Sequence, residues 1–397
     1  MISKARRTPG LAAGKIILLA ALTLLFIFLF TVYVFLNFYK PVFEIPEFPA
    51  LNIGLHNNNI SDLNPNPEGE LQNLIGGQNS NDANIKPDFY NILVVCTDDS
   101  NGNTDTIMVL NLDIKNKECN MLQIPRDTYT DHASWDKKIN SAFPQGRDTA
   151  MREGRSGEEL FDAGMDSLKN SIRKTFGIAV HCYAYMELAG FRELVDIVGG
   201  VTVDVPFNMK YDDPTPGAEI HINLSAGVQL LDGDKAEQFM RFRKNNNGGG
   251  YPEGDVGRLK AQHQFIASLV KKCMKLNFSQ LSRLTEAGYK YIKTDLKPAH
   301  LVFFAKEFIE VGTENITIYT APGESHYRYT YNPFKKRDDY LSYYLVYKEE
   351  MLELANGKFN AYNQDLTAAN IDLIEFDREL AKRETIGNKV DGFDTYD

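Results

Sequence analysis

The sequence predicts an α/β sandwich, and three observations carry that prediction. Apolar runs of strand length recur between residues 89 and 320, segments with helical spacing of apolar residues lie between them, and Gly-, Asn- and Asp-rich stretches separate the two. The 397 residues are 43% hydrophobic and 24% charged, enough for a sizeable core. A net charge of −10 leaves no broad basic surface, which argues against nucleic acid as a partner.

The N-terminus comes first. Residues 1–15 carry Lys4, Arg6, Arg7 and Lys15, and the uncharged apolar run Ile16–Tyr39 follows. A bilayer core takes about 20 such residues as a helix, so residues 16–39 predict a single transmembrane anchor. The flanking charges put residues 1–15 in the cytoplasm and the rest of the chain outside. A cleaved signal peptide fits less well, because the run is longer than a signal's apolar region and no small-residue cleavage site follows. Residues 40–88, with "HNNNISDLNPNPEGE" and "GGQNSNDAN", read as a disordered Asn/Pro-rich tether.

The globular domain is expected over residues 89–360, with 361–397 as a polar tail that can pack on the domain. "FYNILVVC" reads as a buried strand, and "DTIMVLNLDI" and "CNMLQIP" follow as two more around the polar turn "KNKE". If the first strand turns back through "TDDSNGNT", the three form an antiparallel meander. One end of it then carries Asp98, Asp99, Asp105, Arg126 and Asp127. "SGEELFDAGMDSLKNSIRKTFG" predicts a helix stopped by Gly177, and "YMELAGFRELVDIVGG" a second. "VTVDVPF" alternates as a strand. "DGDKAEQFMRFR" predicts an Asp-capped helix to Arg243, "NNNGGGYPEG" a mobile loop, and Asp255 the cap of a long helix to about Lys275. "ITIYTAP" is a late strand, followed by a Tyr-rich segment.

Many site types are missing: there is no GxxxxGK[ST], HExxH or GxSxG, and the seven histidines and four cysteines show no ligand spacing. What remains is arginine and aspartate. Arg258 and Gln262 share one face near the positive end of their helix, where an anion is favoured. Arg241 and Arg243 precede the Gly-rich loop, and they share a face only if the helix frays. Singly, each arginine is better read as a solvated group or as the partner of a nearby acid. Clustered around that loop, Arg241, Arg243 and Arg258 suit a phosphate or pyrophosphate equally well, because the guanidinium fork binds it bidentately. Asp98 and Asp105 are turn and cap residues, or else ligands for Mg²⁺ whose shell phosphate oxygens complete. In "KKINSAFP", Asn140 and Ser141 either bind substrate or begin a helix.

Taken together, "DTIMVLNLD", "LQIPRDTY", "KINSAF", "FRELVDIVGGVTVDVP", "LSAGVQLLDGDKAEQFMRFR" and "GDVGRLKAQHQF" resemble, in order, the blocks of the LytR-CpsA-Psr family. The resemblance runs from about residue 89 to 275 and on through "ITIYTAPG". It implies a mixed β-sheet sandwiched between helices, with a hydrophobic channel for a lipid tail, behind one N-terminal transmembrane helix. It also implies a membrane-anchored enzyme of mostly Gram-positive bacteria that moves an anionic glycopolymer from a polyprenyl-pyrophosphate carrier onto peptidoglycan. By position, Arg126, Arg241, Arg243, Arg258 and Gln262 match pyrophosphate-binding residues, and Asp98 and Asp105 match those that hold Mg²⁺. Asp127 would orient Arg126, and one of the site aspartates would take the acceptor's proton.

Two positions depart from the family. Asn103 and Ala261 stand where it usually has arginines, at a cost of about 1.5–3 kcal/mol each if both made charge-assisted hydrogen bonds. Lys244, Lys260 and Arg147 are candidate substitutes. The departures keep two alternatives open: a non-catalytic binder or regulator of lipid-linked precursors, and a hydrolase of the same pyrophosphate.

Overall fold

The computed structural model describes residues 40–43, 45, 84–97, 104–214, 219–252, 255–276, 278–377 and 387–392. The run Ile16–Tyr39 lies outside them, as do Asp98, Asp99 and Asn103; of Asp105 only the backbone is described. Among the described residues, no helix is long and apolar enough to cross a membrane.

The chain divides into two compact units. In the small one, residues 1–43 with 296–307, Phe43 stacks on Phe304 at 6.0 Å and meets His300 edge-on at 5.0 Å. The large one holds everything else and begins its sheet with β1 (Phe89–Thr97), β2 (Thr104–Asp113) and β3 (Glu118–Ile124). These form the expected antiparallel meander, with Val95 opposite Ile107 and Ile107 opposite Ile124. The ends of β1 and β3 and the start of β2 therefore coincide.

Next come α1 (Ala142–Arg152), α2 (Glu158–Phe176), β4 (Cys182–Glu187) and α3 (Leu188–Ile197). The helix expected from Tyr185 starts only at Leu188, because residues 182–187 pair with β1 in parallel. Strand pairing overrides local helical spacing there. The short strands β5 (Val201–Val205), β6 (Met209–Asp213), β7 (Ile220–Leu224) and β8 (Gly227–Leu231) pair as β5–β8 and β6–β7. They lead into α4 (Gly233–Arg241), α5 (Asp255–Cys273), α6 (Phe278–Tyr291) and β9 (Ile292–Thr294). After helix α7 (Pro298–Val311) come β10 (Ile316–Thr320), the hairpin β11 (Gly323–Asn332) and β12 (Arg337–Val346), α8 (Lys348–Leu354) and β13 (Asn388–Lys389).

The main sheet is mixed, in the order β13-β10-β3-β2-β1-β4-β9. Strand alternation sends Leu93, Val95, Val109, Leu122 and Ile124 to one face, where Phe143 of α1 and Met165, Leu168 and Ile172 of α2 cover them. On the opposite face Gln123 and Thr320 meet α5. A second apolar cluster gathers α3, α4, α5 and the short strands around Phe239, Phe242 and Phe265.

Residues 361–373 of the expected tail pack on the domain: Leu366, Ile371 and Leu373 belong to the first core. The chain just before β1 pairs with them: the Lys86 amide donates to the Ala361 carbonyl at 2.8 Å. The loop expected to be mobile is instead bonded to β6. The Asn245 and Asn246 side-chain oxygens accept from the amides of Lys210 at 2.6 Å and Asp212 at 2.7 Å. Asparagine amides can extend a ladder in this way, which a composition-based reading misses.

Gly177 ends α2 in the left-handed conformation at φ 73°, and an added Cβ would meet Leu366 at 2.7 Å and Ile371 at 3.2 Å. Gly177→Ala is expected to cost about 1–3 kcal/mol, combining backbone strain with overpacking. Urea unfolding measures this directly, and an unchanged midpoint would mean that residues 361–373 yield without cost.

Candidate active site

The site begins where β3 stops. Pro125 has no amide hydrogen, so the ladder ends at Ile124 and the chain turns, with the Thr128 amide donating to the Pro125 carbonyl at 2.9 Å. Arg126 and Asp127 are the central residues of that turn. Three backbone bonds hold it: Asn140 N–H to the Arg126 carbonyl (3.2 Å), Tyr344 N–H to the Asp127 carbonyl (2.9 Å) and Tyr129 N–H to the Tyr344 carbonyl (3.0 Å). Arg126 is half-buried. The Asp127 carboxylate pairs with Lys138 at 2.7 Å, a partner that sequence reasoning did not name although it lies in the flagged "KKINSAF" block.

That block contributes more. Residues Ile139–Ser141 form a short 3₁₀ turn that opens α1, so one expectation for Asn140 and Ser141 holds. Ser141 is structural: its hydroxyl donates to Asp136 at 2.6 Å and accepts from the Ser134 amide at 3.2 Å. Asn140 is different. It is buried beside the Arg126 peptide, its carbonyl accepts from Thr104, and its side-chain oxygen has no hydrogen-bond partner among the described residues. A buried acceptor of this kind costs about 1–3 kcal/mol, which a donor on a bound ligand would offset.

The arginines after α4 are arranged by one apolar residue. The helix ends at Arg241 rather than Arg243, because Phe242 turns extended (ψ 132°) and buries its ring in the second apolar cluster. Arg241 and Arg243 thus leave the chain from a helix end and an extended segment. Arg241 pairs with Glu237 at 2.8 Å, and the other Glu237 oxygen takes Arg192 at 2.5 Å. Arg243 is exposed.

Gln262 joins the two halves. Its amide nitrogen donates to the Met240 carbonyl at 3.0 Å, and its oxygen accepts from Gln123 at 2.8 Å. Gln123 lies three residues before Arg126 and Met240 one before Arg241, so Gln262 sits between the end of β3 and the end of α4. Arg258 is one turn earlier on the same helix, near Tyr251, whose phenol burial pushes far up against the opposing charge of Arg258. Ala261 is buried in the second apolar cluster. Of the candidate substitutes, Arg147 lies over the Phe143 ring at 5.8 Å, and Lys244 and Lys260 are exposed.

These contacts bring together the end of β3, the end of α4 and the first half of α5, the segments that carry Arg126, Asp127, Arg241, Arg258 and Gln262, with Asn140 beside the Arg126 peptide. Among the described residues, no three His, Cys, Asp or Glu group as metal ligands do. Arginines on three segments that meet at a helix's N-terminal half are a residue set suited to a multiply charged anion.

The model of the LytR_cpsA_psr family matches residues 65–358, which include every residue of this site. The chain belongs to the LytR-CpsA-Psr family. It is 31% identical over 265 residues to the cell wall biosynthesis protein LcpA of Corynebacterium glutamicum, covering 63% of this chain and 49% of that one. It is 28% identical over 294 residues to the polyisoprenyl-teichoic acid–peptidoglycan teichoic acid transferase TagU of Bacillus cereus, covering 70% of this chain and 82% of that one. The chain thus spans about half of LcpA. The crystal structure of Bacillus subtilis TagV superposes with a TM-score of 0.50 at 23% identity, covering 68% of this chain and 95% of that one, and shares the LytR-CpsA-Psr fold.

Proposed function

We propose that this protein is a membrane-anchored phosphotransferase, outside the cytoplasmic membrane, that moves an anionic glycopolymer from a polyprenyl-pyrophosphate carrier onto peptidoglycan. One observation carries the reading: Gln262 bonds at once to β3 and to the end of α4, which draws the arginine-bearing segments to one place. The names of LcpA and TagU support it, since both belong to cell wall assembly.

In this reading Arg126, Arg241, Arg243 and Arg258 hold the pyrophosphate, and Gln262 keeps their elements in register. A peptidoglycan hydroxyl attacks the phosphorus that bears the glycopolymer. The bond from that phosphorus to the bridging oxygen breaks, a phosphodiester to peptidoglycan forms, and polyprenyl phosphate leaves. A site aspartate takes the hydroxyl's proton. Arginine charge disperses the charge that builds up on the departing phosphate.

Asp98, one residue past β1, and Asp105, at the start of β2, are the proposed holders of Mg²⁺. Carboxylates are the right ligand class for it, and the meander brings the start of β2 to the end of the sheet that bears Arg126. When bound, the ion would neutralise charge on the leaving phosphate. Residues 16–39 are the proposed anchor.

A second reading, a precursor-binding relative without transfer, is favoured by Ala261. Its short side chain is buried among apolar groups where the family usually carries an arginine. The two readings separate when the full chain is mixed with a short polyprenyl-pyrophosphate-linked saccharide and peptidoglycan oligomers, with Mg²⁺ or EDTA. A metal-dependent phosphodiester adduct in the mass spectrum is the expected result. Polyprenyl phosphate released without an adduct would mean hydrolysis, and bound but unchanged donor would mean a binder.

A further inference from the structure

The hairpin β11–β12 places an aromatic surface beside the turn that carries Arg126. Along β11 the side chains alternate. Glu324, His326, Thr330 and Asn332 face the domain, while Tyr327, Tyr329 and Tyr331 face out, 62%, 75% and 58% exposed. From β12, Tyr340 lies opposite Tyr329 and is 58% exposed. Its ring stacks on Tyr327 at 5.2 Å and tilts against Tyr329 at 4.7 Å. Four tyrosines open to solvent on one short sheet are far more apolar surface than scattered exposure explains.

The hairpin is held firmly. Tyr343 on its inner face is fully buried, and its hydroxyl donates to the Asp136 carbonyl at 2.7 Å. Arg328 lies over the Tyr129 ring at 5.0 Å, and at the tip Phe334 meets Trp135 edge-on at 6.2 Å. The outward rings are therefore presented on a fixed platform, so ordering them on binding costs little.

Continuity with the site decides the occupant. Tyr344, four residues along β12 from Tyr340, gives its amide to the Asp127 carbonyl and its carbonyl to the Tyr129 amide, while its ring packs on the first core and its hydroxyl donates to the Ala321 carbonyl at 2.8 Å. The β12 backbone thus ties the tyrosine face to the Arg126 turn, with Tyr340 roughly 13 Å along the strand from it, four residues at about 3.3 Å each. Its remaining outward groups are Ser325, Ser342 and Asp338. The outward strand positions carry no cation for a phosphate-bearing polymer, the exposed Lys335, Lys336 and Arg337 lying at the hairpin's tip, and Asp338 would repel one. It has no aliphatic side chain to enter a bilayer. Flat rings with hydroxyls suit the C–H faces and hydroxyl edges of pyranose rings.

We propose that this tyrosine face binds an uncharged glycan strand and leads it to the Arg126 turn. That the strand is the acceptor of transfer rests on the transferase reading; the binding does not. The probe is a set of soluble β-1,4-linked N-acetylglucosamine oligomers, which carry no charge, titrated calorimetrically into the full chain with no donor present. Tyr329→Ser combined with Tyr340→Ser is expected to weaken binding about tenfold or more, whereas Tyr329→Phe retains it, since the ring and not the hydroxyl supplies most of the contact. Both positions are exposed, and unchanged circular dichroism would show the fold kept. Equal affinity in the double variant, or no binding by the unaltered chain, overturns the proposal. So does a double variant that binds the glycan normally but loses association with lipid vesicles or with a second copy of the chain. Glycan binding that depends on the tyrosines in a protein that transfers nothing would sustain the proposal and count against the transferase reading alone.

Discussion

Arg126→Ala is expected to slow glycopolymer transfer about a hundredfold while moving the thermal midpoint by no more than about 2 °C. A charge-assisted, bidentate guanidinium–phosphate contact contributes about 3 kcal/mol, which is a factor of roughly 100 in rate. The fold should tolerate the loss, because the turn is held through its backbone: Thr128 to Pro125, Asn140 to Arg126 and Tyr344 to Asp127. Arg126→Lys keeps the charge without the fork and should fall between the two. Single-turnover rates with the lipid-linked saccharide, read beside thermal unfolding, supply both numbers. Transfer at the unaltered rate in Arg126→Ala would remove this residue from the chemistry, and with it the reading of the β3 turn as an anion site. Arg241→Ala makes a useful contrast, since Glu237 keeps Arg192 as a partner and the helix end stays neutralised.

Acid should destabilise the protein well before its carboxylates titrate. Burial pushes His181 and His263 down from the ordinary 6.5 to about 4. The neutral form of His181 is also the one that accepts the Asn91 amide on Nδ1 at 2.9 Å, and His263 meets the Thr320 hydroxyl at 3.2 Å. Because the folded values lie below the unfolded one, the unfolded chain takes up protons first as pH falls. The contribution is complete above about pH 6.5 and is lost progressively toward pH 4, about 3 kcal/mol for each imidazole. Urea unfolding at intervals from pH 7 to 5 should show the midpoint falling, and His181→Gln or His263→Gln should each flatten the curve. A midpoint constant over that range would show that neither ring stays neutral in the folded state.

The meander was legible because its signal is local. Continuous apolar runs, a polar turn and a terminal proline are all contained within residues 89–125. Gly177 and the Asp232 cap, which accepts from the Lys235 amide at 2.9 Å, were legible for the same reason. The end of α4 was not, because Phe242 leaves the helix to reach a core assembled from distant strands. The tyrosine hairpin has a local signal too, the alternation in "YRYTYN", which composition alone does not register. In the site, arginine and aspartate types pointed to an anion, yet what assembles them is the Gln123–Gln262 bond across 139 positions. Neither the Lys138 partner of Asp127 nor the buried oxygen of Asn140 can be derived from spacing.

The three-strand meander also holds a row of buried asparagines, Asn91, Asn111 and Asn120, with Asn111 donating to Asn91 at 3.0 Å. Asn91 spends its own amide hydrogens on the carbonyls of Ala179 and Phe359, the latter 268 positions later in the chain. A chain emerging from its N-terminus can close the meander early from neighbouring contacts, but the Asn91 side chain on its outer strand β1 stays half-satisfied until almost the whole domain has appeared. Completion of folding is thereby tied to the arrival of the C-terminal segment. A nascent or truncated chain that stops short of Phe359 holds an exposed, half-bonded sheet, the kind of species that chaperones retain and proteases clear.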